Sequence, residues 1–168
     1  MIEIIALAAF AGLLVAAACS DVATMTIPNW VSVALAAAFP IAGILTGVPL
    51  AEIGLHLLFG FSVLTIGFLL FQIGVFGGGD AKLIAAAAVW TGFDAFLPFA
   101  LWTAIAGGVL ALALLIARSR LKPDEARPAF VNRLLKVRGG VPYGVAIMVG
   151  GLMALNALPF AGLALTLP

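Results

Sequence analysis

Long stretches without a charged side chain dominate the pattern of this 168-residue chain. Six such stretches occur: residues 4–20, 22–51, 53–79, 83–93, 95–117 and 139–168. Because about 17–25 apolar residues cross a bilayer as a helix, five of the six stretches hold or nearly hold a span. Barrel strands alternate apolar and polar residues, whereas residues 101–116 are apolar on every side. The pattern therefore predicts membrane-spanning helices.

Charges and turn residues divide these stretches into about six helices. The first three and the last are predicted at residues 2–20, 30–46, 53–75 and 141–158. Residues 81–117 are too long for one span, since 37 residues of helix measure about 55 Å against roughly 30 Å of hydrocarbon. We predict a turn at residues 91–94, with Pro98 entering the next helix, and a kink at Pro40 in the second helix.

Composition agrees with a polytopic, all-α integral membrane bundle. Apolar residues make up 65% of the chain and charged residues 9%, against about 25% charged in soluble domains. A soluble globular enzyme and a disordered chain are excluded, and a net charge of +1 excludes a nucleic-acid binder. One cysteine, Cys19, excludes an internal disulfide and a cysteine-based zinc site. Glu3 stands where a signal peptide would be basic, so we expect a retained first span and a single membrane domain over 1–168.

The distribution of positive charge predicts the orientation. Residues 118–138 form a basic loop with nine charges, seven of them Lys or Arg, and Lys82 falls on the same side. By the positive-inside rule this side is the cytoplasm. Asp21 follows the first predicted helix and Asp80 follows the third. Two spans separate them, so both aspartates are predicted at the cytoplasmic membrane boundary, in an inner membrane, where the basic loop also meets anionic lipid.

Paired carboxylates in a charge-poor bundle suggest acid and base chemistry. Two neighbouring carboxyl groups do not both ionise easily, so one can deprotonate a water while the other polarises a carbonyl. The glycines 77–79 beside Asp80 let a substrate backbone come close. Two other interpretations stay open: each aspartate as a solvated residue or helix N-cap, and the triple glycine as a flexible connector. The single histidine, His56, is predicted near the opposite boundary.

Three motifs resemble those of a known family. The stretch from Phe76 to Leu83, with Gly77-Gly78-Gly79-Asp80-Ala81-Lys82-Leu83, resembles the GxGD signature of intramembrane aspartic peptidases, in the GGGDxKL form of type IV prepilin peptidases. Asp21 followed by Ile27-Pro28-Asn29 resembles the first motif of that family. Val141-Pro142-Tyr143-Gly144 is similar to its third motif. The short length resembles the CpaA/TadV branch that accompanies Flp, or tight-adherence, pili.

The resemblance implies an aspartic endopeptidase that hydrolyses the bond after the glycine ending a prepilin's basic leader. It implies Asp21 and Asp80 as the catalytic pair, with no metal and no cofactor. Its partners would be a prepilin with an apolar helix, membrane lipid and the pilus assembly machinery. The residues implied in substrate access or in shaping the cleft are Gly77, Gly78, Gly79, Lys82, Pro28, Asn29, Pro142 and Tyr143.

Departures from the family pattern keep alternatives open. Long prepilin peptidases carry a cytoplasmic insertion with CxxC pairs and methylate the new pilin N-terminus, so methyltransferase activity is not expected here. Residues 22–26 hold no basic side chain where many relatives have some. An archaeal-type preflagellin peptidase, a small proton- or ion-coupled transporter and a non-catalytic assembly subunit are the alternatives. Carboxylates at one boundary and the lack of an inverted repeat disfavour the transporter.

Overall fold

A computed structural model describes residues 1–122, 124, 126–136 and 139–161 of the chain. Within these residues all regular structure is helical. The elements are α1 (Ile2–Thr24), α2 (Asn29–Thr46), α3 (Leu50–Gln72), α4 (Gly78–Arg120), α5 (Ala129–Leu134), α6 (Tyr143–Met153) and a 3-10 turn (Leu155–Ala157). Four helices, α1 to α4, are long and apolar enough to span a membrane. The predicted all-α, polytopic membrane bundle is confirmed. The number six stays a prediction, because α6 has only 11 residues.

The long helix α4 is broken at Gly92, where the backbone has φ 58° and ψ −165°. We call residues 78–91 its first arm and residues 93–120 its second arm. Both arms line one apolar cavity, Ile84 from the first and Phe99 from the second, so the chain folds back at the break. The predicted turn at residues 91–94 is confirmed. Pro98, however, lies within the second arm and is not at its beginning.

His56 of α3 supports the break. Its Nδ1 lies 2.8 Å from the carbonyl oxygen of Val89. In an unbroken helix this carbonyl would instead accept a hydrogen bond from the N–H four residues later, beyond Gly92. Because a carbonyl only accepts, Nδ1 carries the proton. The imidazole also stacks on Phe39, with ring centroids 4.6 Å apart. A Cβ at Gly92 would lie 2.5 Å from Cε1 of His56, so this position needs glycine for space as well as for its positive φ.

Substituting His56→Ala is expected to destabilise the protein by about 2 kcal/mol, because it leaves the Val89 carbonyl without its partner. The measurement is thermal unfolding of the protein purified in detergent. Ser62→Ala is the matched control, since it removes a hydroxyl that bonds within α3 on an exposed face, and we expect a change within about 0.5 kcal/mol. Equal stability of the two variants would contradict a structural role for His56.

Glycines let α3 and the first arm of α4 pack closely. A Cβ at Gly60 would lie 2.3 Å from Cγ2 of Val89, and one at Gly67 would lie 3.1 Å from Cβ of Ala81. Small residues at such positions allow membrane helices to approach backbone to backbone. The pairing runs antiparallel, with the end of α3 beside the start of α4. The start of α4, where Asp80 lies, is thereby held beside α3.

Close packing also places α6 against α1. A Cβ at Gly144 would lie 3.0 Å from Cβ of Asp21, and one at Gly151 would lie 2.3 Å from Cδ1 of Leu14. The two helices are therefore antiparallel, and α6 begins where α1 ends. We call this end of the bundle, where α1 ends and α4 and α6 begin, the carboxylate end.

A cluster of buried aromatic rings lies toward the other end of the bundle. Trp90 is fully buried, and its ring centroid lies 5.0 Å from that of Phe10 and 5.7 Å from those of Phe39 and Phe160. The indole Nε1 donates to the Leu35 carbonyl at 2.7 Å, which satisfies its buried donor. This aromatic cluster joins α1, α2 and α4, so the helices are anchored at the end opposite the carboxylates.

Several helix boundaries differ from the sequence predictions. Helix α1 continues to Thr24, where we predicted 20, and ends because Met25 adopts a left-handed φ of 58°. Helix α4 begins at Gly78 rather than at 81, and α6 ends at Met153 rather than 158. The predicted basic loop 118–138 contains the end of α4 and the unpredicted helix α5. Four positions of that loop lie outside the described residues: 123, 125, 137 and 138.

Candidate active site

Asp21 lies in the last turn of α1, not in a loop, and its side chain is buried, with 6% exposure. Its Oδ2 accepts a hydrogen bond from the backbone N–H of Gly144 at 2.7 Å. Gly144 is in the first turn of α6, where backbone N–H groups have no partner within the helix. The N-terminus of α6 therefore provides both a donor and a favourable dipole for this carboxylate.

Asp80 lies in the first turn of α4, and its side chain is half-buried. The carboxylate folds back toward the helix start, since a Cβ at Gly77 would lie 2.7 Å from its Oδ2. A negative charge is favoured at this position by the dipole of the helix. Position 77 has to be glycine for the carboxylate to lie there, and α4 thus presents its acid at the carboxylate end.

Both carboxylates line a single cavity of about 490 Å³, which we call the carboxylate cavity. Its wall is made of Asp21, Met25, Thr26, Ile27, Asn29, Gly77, Gly78, Gly79, Asp80, Arg133, Lys136, Gly139, Gly140 and Val141. The charges of Asp21 and Asp80 are near enough to repel each other. The structure thus brings together the two acids that span counting predicts at one end of the bundle.

The three glycines before Asp80 line this cavity without using a left-handed backbone. Gly77 has φ −70° and precedes α4, while Gly78 and Gly79 lie inside the helix. A Cβ at Gly79 would lie 3.3 Å from Cβ of Ile27, so the glycine lets α4 approach the loop after α1. A flexible connector is therefore not what this run forms. Its glycines serve close contacts around the carboxylate.

The loop between α1 and α2 forms another wall. Pro28 has extended φ and ψ and directly precedes α2, and Asn29 lines the cavity. The side-chain oxygen of Asn29 accepts a hydrogen bond from Nζ of Lys82 at 3.0 Å. Lys82 itself is exposed and lines a different groove, between α2, α3 and α4. Its link to the carboxylate cavity runs through Asn29.

The motif at residues 141–144 contributes in an unexpected way. Pro142 is fully buried just before α6. The ring of Tyr143 packs against Gly107, whose Cβ would lie 3.0 Å from it, and lines an apolar cavity of about 320 Å³. The structure thus places the Tyr143 ring outside the set that lines the carboxylate cavity. This motif contacts a carboxylate of the cavity through the Gly144 N–H, and nothing in the sequence pattern indicates that contact.

The carboxylate cavity is also lined by two basic residues outside the predicted site, Arg133 and Lys136. Arg133 Nη1 donates to the carbonyl of Ala23, in the last turn of α1, which is a favourable place for a cation. The sequence signal was present only as a basic loop, which predicts membrane orientation and not contact with the acids.

Arg118, in the last turn of α4, holds the backbone on either side of this basic region by two hydrogen bonds. Its Nε donates to the Leu134 carbonyl and its Nη2 to the Gly140 carbonyl, both at 2.7 Å. One guanidinium therefore links the end of α4 to the last residue of α5 and to Gly140, just before α6. This keeps the backbone around residues 139–141 against the carboxylate cavity.

The chemistry that these groups support is proton transfer. Two carboxyl groups that line one partly buried cavity can serve as an acid and a base, because the charge of each disfavours ionisation of the other. Among the described residues, no three His, Cys, Asp or Glu side chains are grouped to hold a metal ion. That no metal or cofactor takes part stays a prediction.

Comparison with known proteins gives one match. A model of the type IV leader peptidase family matches residues 8–112, more than half of the chain. The match contains both carboxylates of the cavity, while the motif at residues 141–144 lies beyond it. No curated protein and no solved structure matches the chain. Because the match covers more than half of the chain, including both acids of the cavity, the chain belongs to the type IV leader peptidase family.

Proposed function

We propose that this protein is a membrane aspartic endopeptidase that removes the leader of Flp-type prepilins at the cytoplasmic membrane boundary. The observation that carries the proposal is the carboxylate cavity, which Asp21 and Asp80 both line from the ends of two different helices. The family supplies the general activity, cleavage of type IV leader peptides. The three sequence motifs support a prepilin as the substrate.

In the proposed reaction one carboxylate takes a proton from a water molecule, and the resulting hydroxide attacks the carbonyl carbon of the leader glycine. The other carboxyl, protonated, donates a hydrogen bond to the carbonyl oxygen. When the C–N bond breaks, the proton passes to the leaving amine, which becomes the new N-terminus of the pilin. Asp21 and Asp80 titrate as one pair, so the roles belong to the pair rather than to either residue.

The position of the cavity suits a substrate that is anchored in the membrane. A prepilin's apolar helix stays in the bilayer, and its leader reaches the end of the bundle where α1 ends and α4 begins. A cavity of about 490 Å³ is of the size that holds a short peptide segment. The chain has one cysteine and no CxxC pair, so methylation of the new N-terminus is not part of the proposal.

The proposal is tested by co-expressing the protein with a Flp-type prepilin. The expected result is a shorter pilin whose N-terminal sequence begins directly after the leader glycine. A prepilin in which that glycine is replaced by valine is the matched control and should stay uncut. An uncut natural prepilin beside folded protein would overturn the proposal. Cleavage of an archaeal preflagellin instead would favour the alternative peptidase, and cleavage of neither would favour a transporter.

Substituting Gly144→Ala is expected to lower the cleavage rate roughly tenfold to a hundredfold, because a small displacement of a catalytic group costs this much. The added Cβ would lie 3.0 Å from both Cβ and Oδ2 of Asp21, so the carboxylate must move. The measurement is the rate of prepilin cleavage in detergent. Gly12→Ala in α1 is the matched control, because nothing lies within 4 Å of its new Cβ. Equal rates for the two variants would exclude a positioning role for Gly144.

A further inference from the structure

A groove with one polar end and apolar walls lies on the side of the bundle. It is next to the carboxylate cavity but separate from it. It lies between α2, α3 and the first arm of α4, with a volume of about 530 Å³. Helices α2 and α3 both pack on α4 and scarcely touch each other, which leaves this gap. Asn29, Ser32 and Lys82 form one end, and Ala36, Phe61 and Leu64 line the rest. We call it the Lys82 groove.

The polar end of the Lys82 groove carries donors without acceptors. Lys82 donates to Asn29 at 3.0 Å, which uses one of the three N–H groups of its ammonium. In the described part of the chain, no carboxylate lies within ion-pair distance of Lys82. Ser32, which also lines this end, is 7% exposed, and its hydroxyl is buried without a hydrogen-bond partner among the described residues. Among the described residues, the donors left for a ligand at this end are therefore the other two N–H groups of the Lys82 ammonium.

The rest of the groove is apolar and opens toward the membrane. Val33 and Phe61 on its two walls are both 66% exposed, as expected of side chains that face lipid. Lys82 is near Asp80 in sequence and lies at the carboxylate end of the bundle. The groove thus runs from a cation near the membrane boundary to an apolar channel in the hydrocarbon region. This is the order of a headgroup and an acyl chain in a bilayer.

We propose that the Lys82 groove binds one anionic phospholipid. The Lys82 ammonium holds the phosphate, and an acyl chain lies along Ala36, Phe61 and Leu64. Basic pockets between membrane helices bind anionic headgroups in this manner.

The lipid site is independent of peptidase activity but adjoins the carboxylate cavity. Asn29 lines both spaces, and its side-chain oxygen is bound by Lys82. A phosphate on Lys82 therefore holds the start of α2 in place. The loop that precedes α2, with Pro28 at its end, forms part of the wall of the carboxylate cavity.

The test is native mass spectrometry of the protein purified in detergent, with phosphatidylglycerol or phosphatidylcholine of identical acyl chains added. The wild type is expected to retain one phosphatidylglycerol and to bind it about tenfold more tightly than phosphatidylcholine, because the choline cation of phosphatidylcholine offsets the attraction of its phosphate to Lys82. Lys82→Gln is expected to remove the preference. Arg120→Gln, which removes an exposed cation at the end of α4 outside the groove, should keep it.

Two further measurements separate a lipid site from a simple phosphate site. Ala36→Phe fills the apolar part and is expected to abolish retention of the lipid, with gel filtration showing a monodisperse protein. Glycerol 3-phosphate, which has no acyl chain, is expected not to displace the lipid at equal concentration. Equal binding of both lipids by the wild type, a preference that survives Lys82→Gln, or displacement by glycerol 3-phosphate would each overturn the proposal. The wild-type comparison decides by itself if a variant fails to fold.

Discussion

Replacing either Asp21 or Asp80 with asparagine is expected to abolish leader cleavage. An amide neither takes up nor releases a proton at ordinary pH, so the pair loses its base or its acid. Loss of general acid or base catalysis costs roughly 10²–10⁴ in rate. The double variant is expected to be no worse than either single one, because groups that act as a unit are not additive.

The asparagine variants are suited to this test because the fold does not require the charge. At position 21 the side-chain oxygen of asparagine still accepts the N–H of Gly144, which now bonds Oδ2 of the aspartate at 2.7 Å. The measurement is the gel shift of co-expressed prepilin followed by N-terminal sequencing. Asp94→Asn is the matched control, since Asp94 is exposed near the break in α4 and should leave cleavage unchanged.

Processing that survives either substitution would contradict an aspartic mechanism. The chain would still belong to the leader peptidase family, but the carboxylate cavity would not be its catalytic centre. The transporter and the non-catalytic assembly subunit would then become the leading hypotheses. Retained leader in both variants, with wild-type expression and unfolding temperature, would support the pair.

Substituting Gly150→Ala is expected to cause the largest loss of stability among the glycine variants. A Cβ there would lie 2.0 Å from Oγ1 of Thr103, 2.8 Å from the carbonyl oxygen of Phe99 and 2.9 Å from the backbone nitrogen of Thr103. Two of these atoms belong to the backbone of the second arm of α4, so no side-chain rotation relieves the clash. The two helices have to separate, at a cost of about 1–3 kcal/mol or more.

Separation of α6 from α4 also has a consequence for the site, because α6 carries the N–H that bonds Asp21. The measurement is the unfolding temperature in detergent together with the cleavage rate. Gly108→Ala is the matched control, since it makes the same change in the second arm of α4 with nothing within 4 Å of the new Cβ. There we expect no loss and up to about 1 kcal/mol of gain from helix propensity. Equal unfolding temperatures would show that the helices are not in close contact.

The sequence by itself determined which segments form the long helices, though not the short α5, and that both acids lie at one end of the bundle. Uncharged stretches of span length fold as helices because the bilayer leaves unpaired backbone groups no other partner. Asp21 and Asp80 fall at one end because an even number of spans separates them. Gly92 also marked the break in α4, since α4 is too long for one crossing and glycine alone adopts its φ without strain.

Only the tertiary structure decided which side chains meet. The N–H of Gly144 reaches Asp21 across 123 residues, Arg133 reaches the Ala23 carbonyl across 110, and His56 reaches the Val89 carbonyl across 33. These contacts depend on how each helix is rotated about its axis. In a soluble protein the hydrophobic face reveals that rotation, but here lipid and core are both apolar, and α3 is apolar on all sides. The pattern therefore predicts how far along its helix a residue lies. Which side chain it contacts is determined by how the helices pack at their glycines.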